Sequence, residues 1–167
     1  MDIEKHWDTI CRIVDESLES THFCAVATSN ADGSPRVSPI GSLILKETGK
    51  GFFFEDFAKN MRQNLDEDQR ICILAVRGER WHWLKAILSG RFDTPPGVRL
   101  MGRAGARRKA TPEEVKRFQE RVRLFRKSKG YKLLWKNMRY GRDVTFDTFE
   151  PVDLGVMTVG LWEEGEE

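Results

Sequence analysis

Ile3, Trp7, Ile10, Val14 and Leu18 recur at steps of three and four, which predicts an amphipathic helix over residues 1–20 with Asp2 as its cap. From His22 onward the apolar runs become short and are parted by turn residues. Phe23–Thr28 (FCAVAT) reads as a strand, Asn30-Ala31-Asp32-Gly33 as a turn, and Pro35–Leu45 (PRVSPIGSLIL) as a returning strand. Pro39 has no N–H for a central ladder, so that second strand should lie at an edge, carry a bulge or border a ligand. Gly51–Glu55 (GFFFE) predicts a third strand, Lys59–Leu65 a short helix and Arg70–Val76 (RICILAV) a fourth strand. Strands joined by tight turns argue for an antiparallel sheet or barrel with flanking helices, an α+β chain that is mainly β.

The second half is less regular. Trp81, Leu84, Ile87 and Leu88 fit one face of a helix closed by Gly90, and Val98–Arg108 reads as a basic strand. Thr111-Pro112-Glu113-Glu114 is a helix start, with a capping hydroxyl, proline at the first helical position and glutamate to complete a capping box. Val115, Phe118, Val122 and Phe125 form the expected buried face of that helix. A short helix around Tyr131–Met138, a closing strand over Asp143–Phe149, a last strand over Val156–Val159 and a frayed acidic tail complete the reading. No repeat or linker interrupts it, so residues 1–167 are expected to form one domain, with 111–138 a basic helical insertion before the closing strands.

Charge changes this picture more than composition does. The net charge of +2 conceals a segment from Arg99 to Arg142 with 16 Lys and Arg against three acids, a net +13, set in a remainder of −11. Such asymmetry points to an anionic partner: a phosphate-bearing ligand, nucleic acid or an acidic protein surface. The longest apolar run, Ile71–Val76, is too short to cross a bilayer. Acids at Asp2 and Glu4 argue against a secretory leader, and three widely spaced cysteines suit reduced thiols in the cytoplasm.

The stretch AVATSNADGSPRVSPIG (Ala25–Gly41), followed by FAKNMRQNLDEDQRICILAV, resembles the FMN-binding split-barrel family typified by pyridoxamine 5′-phosphate oxidase. The resemblance covers roughly residues 1–77 and resumes more weakly at the last strands. It implies an antiparallel split β-barrel, FMN as cofactor, and a homodimer with the cofactor near the subunit interface. The implied activity is that of a flavin-dependent oxidoreductase on a small molecule. Arg36, Val37, Ser38 and Pro39 match the strand that contacts the cofactor, and Lys59 with Asn60 the basic pair on its phosphate. Lys59 lies five residues before Asn64 rather than the three or four usual in relatives, which leaves open whether Lys59, Asn60 or Arg62 meets the phosphate.

The residue chemistry supports this independently. Arg36 and Ser38 are two apart on a strand and share a face, while Lys59 and Arg62 share a helix face near an N-terminus that itself favours anions. Gly33, Pro39 and Gly41 suit places where the chain makes room for a ring. The alternatives are haem or a deazaflavin in the same fold, a flavin carrier without turnover, or a nucleic-acid-binding module using Arg99–Arg142. His22 and Cys24 as metal ligands, Gly102-Arg103-Ala104-Gly105 as a nucleic-acid clamp and Trp81-His82-Trp83 as a stacking platform are weaker motifs. Each is more simply read as structural. No pair of side chains suggests nucleophilic catalysis.

Overall fold

The computed structural model describes residues 1–162. Asp2 caps α1 (Ile3–Thr21) by accepting the Glu4 N–H, and Trp7, Ile10, Ile13, Val14 and Leu18 are buried on its inner face. The strands are β1 (Cys24–Ser29), β2 (Pro35–Ile40), β3 (Ile44–Leu45), β4 (Lys50–Phe54), β5 (Arg70–Val76), β6 (Gly97–Ala104), β7 (Arg108–Lys109) and β8 (Tyr140–Pro151). Between them lie α2 (Lys59–Glu67), α3 (Arg80–Ser89), α4 (Pro112–Arg121) and α5 (Lys129–Leu134). The strands form one antiparallel sheet in the order β2-β1-β5-β6-β8-β4-β3, with β7 also paired to β8. This is the curled half-barrel of the split-barrel fold.

Topology explains the prolines. β2 pairs only with β1 and is an edge, so Pro35 and Pro39 withhold no ladder donor. The stretch predicted as one strand over 35–45 is two. Gly41-Ser42-Leu43 carries the chain from one edge of the sheet to the other, and Ser42 Oγ replaces a ladder partner by bonding both the N–H and the carbonyl of Phe54. The glycines there serve the backbone. Gly33 adopts φ +81° in the β1–β2 turn, and a Cβ on Gly41 would stand 2.6 Å from the His22 carbonyl oxygen.

Two apolar clusters hold the sheet. The larger joins α1 to the concave face through Val26, Phe53, Ile73, Leu100 and Phe149. The smaller joins Ile44, Phe52 and Phe54 to Phe118, Val122 and Tyr131 of the helical insertion, so β4 is covered on both faces.

Four further expectations are corrected. Residues 156–159 form no strand: Gly155–Met157 is a 3₁₀ turn, begun by the Asp153 carboxylate accepting the Gly155 N–H. The basic strand over 98–108 breaks after Ala104 and resumes as β7, because a loop at 105–107 turns it toward the end of β8. The apolar face of α3 is not buried: Trp81 and Leu88 are each about three-quarters exposed, and only Ala86 is fully covered. Phe125, assigned to the buried face of α4, lies beyond the helix in a 3₁₀ turn and is half exposed. The acidic tail, 163–167, lies outside the described residues.

The Thr111 capping box is formed, and Glu114 also receives Arg108 and Lys46, with Arg108 bound in turn to Asp143. Burial works to raise the Glu114 carboxyl. Arg108, Lys46 and the Thr111 N–H outweigh it and hold the group at about 2, against an ordinary 4.5. A lowered folded pKa gives stability that is complete above 4.5 and is lost as pH falls towards 2. Glu114→Gln should therefore cost up to about 3 kcal/mol near neutrality, and the gap to wild type should close across that acid range, as urea unfolding at a series of pH values will show.

Candidate functional site

The sheet splits where β2 and the end of β4 diverge, and two adjoining clefts occupy that split. The smaller, about 450 Å³, is polar: Arg36 and Ser38 enter it from the inner face of β2, Lys59, Asn60 and Met61 from the first turn of α2, and Asp56, Phe57 and Ala58 from the intervening loop. Ala58 stands at the N-cap of α2 and supplies no side-chain hydrogen bond, so the first amides of the helix face the cleft without a cap.

Arg36 is held for this role. Its Nε donates to Asn30 Oδ1 at 3.0 Å, and the same oxygen accepts from Asn64 Nδ2, also at 3.0 Å. Asn64, buried on α2, donates as well to the Thr28 hydroxyl at 3.0 Å. Asn64 thus anchors β1 to α2 and steadies the cation on β2. One end of the guanidinium is fixed and its terminal nitrogens are left for an anion.

The larger cleft, about 760 Å³, shares Ser38, Asp56, Phe57 and Ala58 with the first. The C-terminal end of α1, Pro39–Ser42 and the end of β4 form its floor; α4 and α5 of the basic insertion form its roof. Asp56, at the border, accepts the amides of Arg139 at 2.8 Å and Tyr140 at 3.2 Å, which fixes the loop between β4 and α2. Beneath that loop Arg142 is buried with Glu55, Nε to Oε2 2.7 Å, and also binds Asp66.

Of the expected site residues, Arg36, Ser38, Lys59 and Asn60 are brought together in the polar cleft, and Pro39 lies at the larger one. Val37 points to the opposite, outer face of β2 and is 67% exposed. Arg62 does not line either cleft; its carbonyl accepts from Arg142 at 3.4 Å. Asn30, Asp56 and Arg142 were not singled out from sequence. Only Asn64, as part of its motif, gave a signal.

The weaker motifs have structural explanations. His22 is the left-handed cap of α1 while Cys24 is buried in β1, and no metal-binding group of side chains occurs among the described residues. Burial pushes the Cys24 thiol up to about 12. Gly102 marks a bulge in β6, where a Cβ would strike the Thr145 carbonyl. Trp83 donates to the Arg77 carbonyl at 2.6 Å and packs edge-on against Phe92.

Five of the sixteen cations of the basic segment have acidic partners among the described residues. Arg99 pairs with Glu150, Arg107 with Glu55, Arg108 with Glu114 and Asp143, and Arg142 with Glu55 and Asp66. Arg121 donates to the Leu43 carbonyl at 2.7 Å and lies 3.7 Å from Asp15. No helix is long and apolar enough to cross a membrane among the described residues.

A half-barrel of this topology has counterparts among known proteins. The pyridoxamine 5′-phosphate oxidase family model matches residues 13–145, and the chain belongs to that family. The match runs well past residue 77 and takes in the helical segment 111–138. A search of curated proteins found no match. Among solved structures, an FMN-binding protein from Syntrophomonas wolfei is 11% identical over 90% of each chain, with a TM-score of 0.61. HupZ of Group A Streptococcus is 15% identical over 89% of this chain and 94% of its own, TM-score 0.57. An F420 reductase is 12% identical over 81% of this chain and 94% of its own, TM-score 0.53. At these identities the likeness is one of fold.

Proposed function

We propose that the chain binds flavin mononucleotide and acts as a flavin-dependent oxidoreductase on a small molecule. The observation that carries this reading is the convergence of Arg36, Ser38, Lys59 and Asn60 on one cleft at the uncapped start of α2. A phosphate dianion needs cations, hydroxyls and free amides together, and all three are present there. The shared border at Ser38, Asp56, Phe57 and Ala58 leads from that cleft to apolar walls suited to a flavin ring. The description of the S. wolfei structure as an FMN-binding protein supports the same reading.

The flavin, when bound, supplies hydride or electron transfer. The protein's part is to bind and orient. Arg36 and Lys59 hold the charge, Asn30 and Asn64 fix Arg36, and the roof of the larger cleft shields the reacting face from water. The reading includes a homodimer with the cofactor near its interface, for which Val37 offers an exposed apolar contact on the outer face of β2. It also places the protein in the reducing cytoplasm, in keeping with its three free thiols.

Titration of the purified protein with FMN, followed by flavin fluorescence, should show saturable binding of one flavin per chain. Saturation with the deazaflavin F420 but not with FMN would transfer the reading to the chemistry of the F420 reductase it resembles. Binding of neither would overturn it.

A further inference from the structure

We propose that the larger cleft is a chamber for a flat, uncharged, apolar molecule, the second occupant beside the flavin. That this molecule is the substrate rests on the flavin reading above.

The chamber is built for apolar contact. Leu18, Ile40, Phe54, Phe118, Val122 and Trp135 line it from α1, β2, β4, α4 and the end of α5. Trp135 is set edge-on to Phe118, Phe125 and Tyr131 at centroid distances of 6.2, 5.9 and 6.5 Å, a rigid aromatic roof. The apolar surface continues outward at the mouth, where Leu124 is 85% exposed and Leu134 about half exposed. Pockets of ~300–1,000 Å³ take drug-sized ligands, so about 760 Å³ has room for a flavin ring and a further small ring system.

Its electrostatics disfavour an anionic guest. Each charged group at the inner wall is already engaged. Glu55 is held by Arg142 and Arg107, Asp56 by two backbone amides, and Arg121 by the Leu43 carbonyl and Asp15. Glu19 is exposed at the edge. The Ser42 hydroxyl is used twice by Phe54. An anionic ligand would give up its hydration with no free cation at the inner wall to replace it. The Ser38 hydroxyl, the His22 ring and the Trp135 indole N–H stand at the wall to meet a hydrogen-bonding group on the guest.

A matched pair of probes tests this. N-phenyl-1-naphthylamine is neutral, and 8-anilino-1-naphthalenesulfonate has the same ring systems plus a sulfonate. Equilibrium dialysis against the full chain, with and without FMN, should show one saturable site for the neutral probe and at least tenfold weaker binding of the sulfonate. Leu134→Asp and Met138→Asp should each weaken the neutral probe tenfold or more. Leu88→Asp, on the exposed face of α3 away from the chamber, should leave it unchanged.

Equal or tighter binding of the sulfonate would overturn the proposal, as would sensitivity to Leu88→Asp in place of Leu134→Asp. Displacement of the neutral probe by FMN would show that the flavin ring fills the chamber, which also overturns it. If FMN fails to bind while the probe pattern holds, the flavin reading falls and the chamber stands.

Discussion

Arg142→Ala is expected to lower the unfolding free energy by about 3–5 kcal/mol, the range for breaking a buried ion pair by removing one partner. Arg142 is 1% exposed and donates to Glu55 at 2.7 Å, to the Gly105 carbonyl at 3.1 Å and to the Leu65 and Arg62 carbonyls at 3.4 Å. Burial opposes the charge on its guanidinium, but Glu55 and Asp66 outweigh that and push it further toward the protonated form. Without it, Glu55 keeps only Arg107, 3.1 Å away and not aligned for a hydrogen bond. Three carbonyls lose a donor as well. Removing both charges in Arg142→Met with Glu55→Gln should cost clearly less than Arg142→Ala alone, because no buried carboxylate is then left without its main partner. Urea unfolding of the three proteins decides it. A loss under about 1 kcal/mol for Arg142→Ala would mean that Glu55 regains water.

Arg36→Ala and Lys59→Ala should each weaken FMN about tenfold or more, and together by at least about a hundredfold, since each removes a charge-assisted contact worth roughly 1.5–3 kcal/mol. Riboflavin, which lacks the phosphate, should bind the variants and the wild type equally. This comparison separates loss of a phosphate contact from general damage to the cleft. If riboflavin weakens in parallel with FMN, the two cations act on the ring or on folding instead. Arg36→Lys should recover only part of the affinity. Lysine retains the charge but cannot use one nitrogen on Asn30 while turning others to the ligand.

The sequence showed its barrel best where side-chain periodicity and turn chemistry act locally. β5 was placed to the residue, the Thr111 capping box was formed as expected, and Pro39 signalled an edge strand. The clustering of Arg36 and Ser38 followed from alternation, while that of Lys59 and Asn60 came from the family resemblance alone. What was hidden depends on contacts distant in sequence. Arg142 looks like one more cation in a basic run, and its burial follows from partners some 76 to 87 residues away. Arg62 shares its helix face with Lys59, yet the cleft opens only at the first turn, so position along the axis rather than face decided the outcome. α3 was found as a helix, but periodicity does not say whether an apolar stripe meets a partner within its own chain.

The two ends of the insertion leave the barrel side by side. Arg108 and Lys109 of β7 pair with Gly141 and Tyr140 of β8, and Ala110 donates to the Arg139 carbonyl at 2.8 Å, so the span between residues 110 and 139 begins and ends at one closed rung. Closure entropy rises only slowly with loop length. The roof of the chamber is therefore a graftable cassette: segments of different length could be exchanged at that rung, provided that they keep the apolar contacts which Phe118, Val122 and Tyr131 make with Ile44, Phe52 and Phe54. Among relatives with this barrel, diversity of guest should concentrate in this one span.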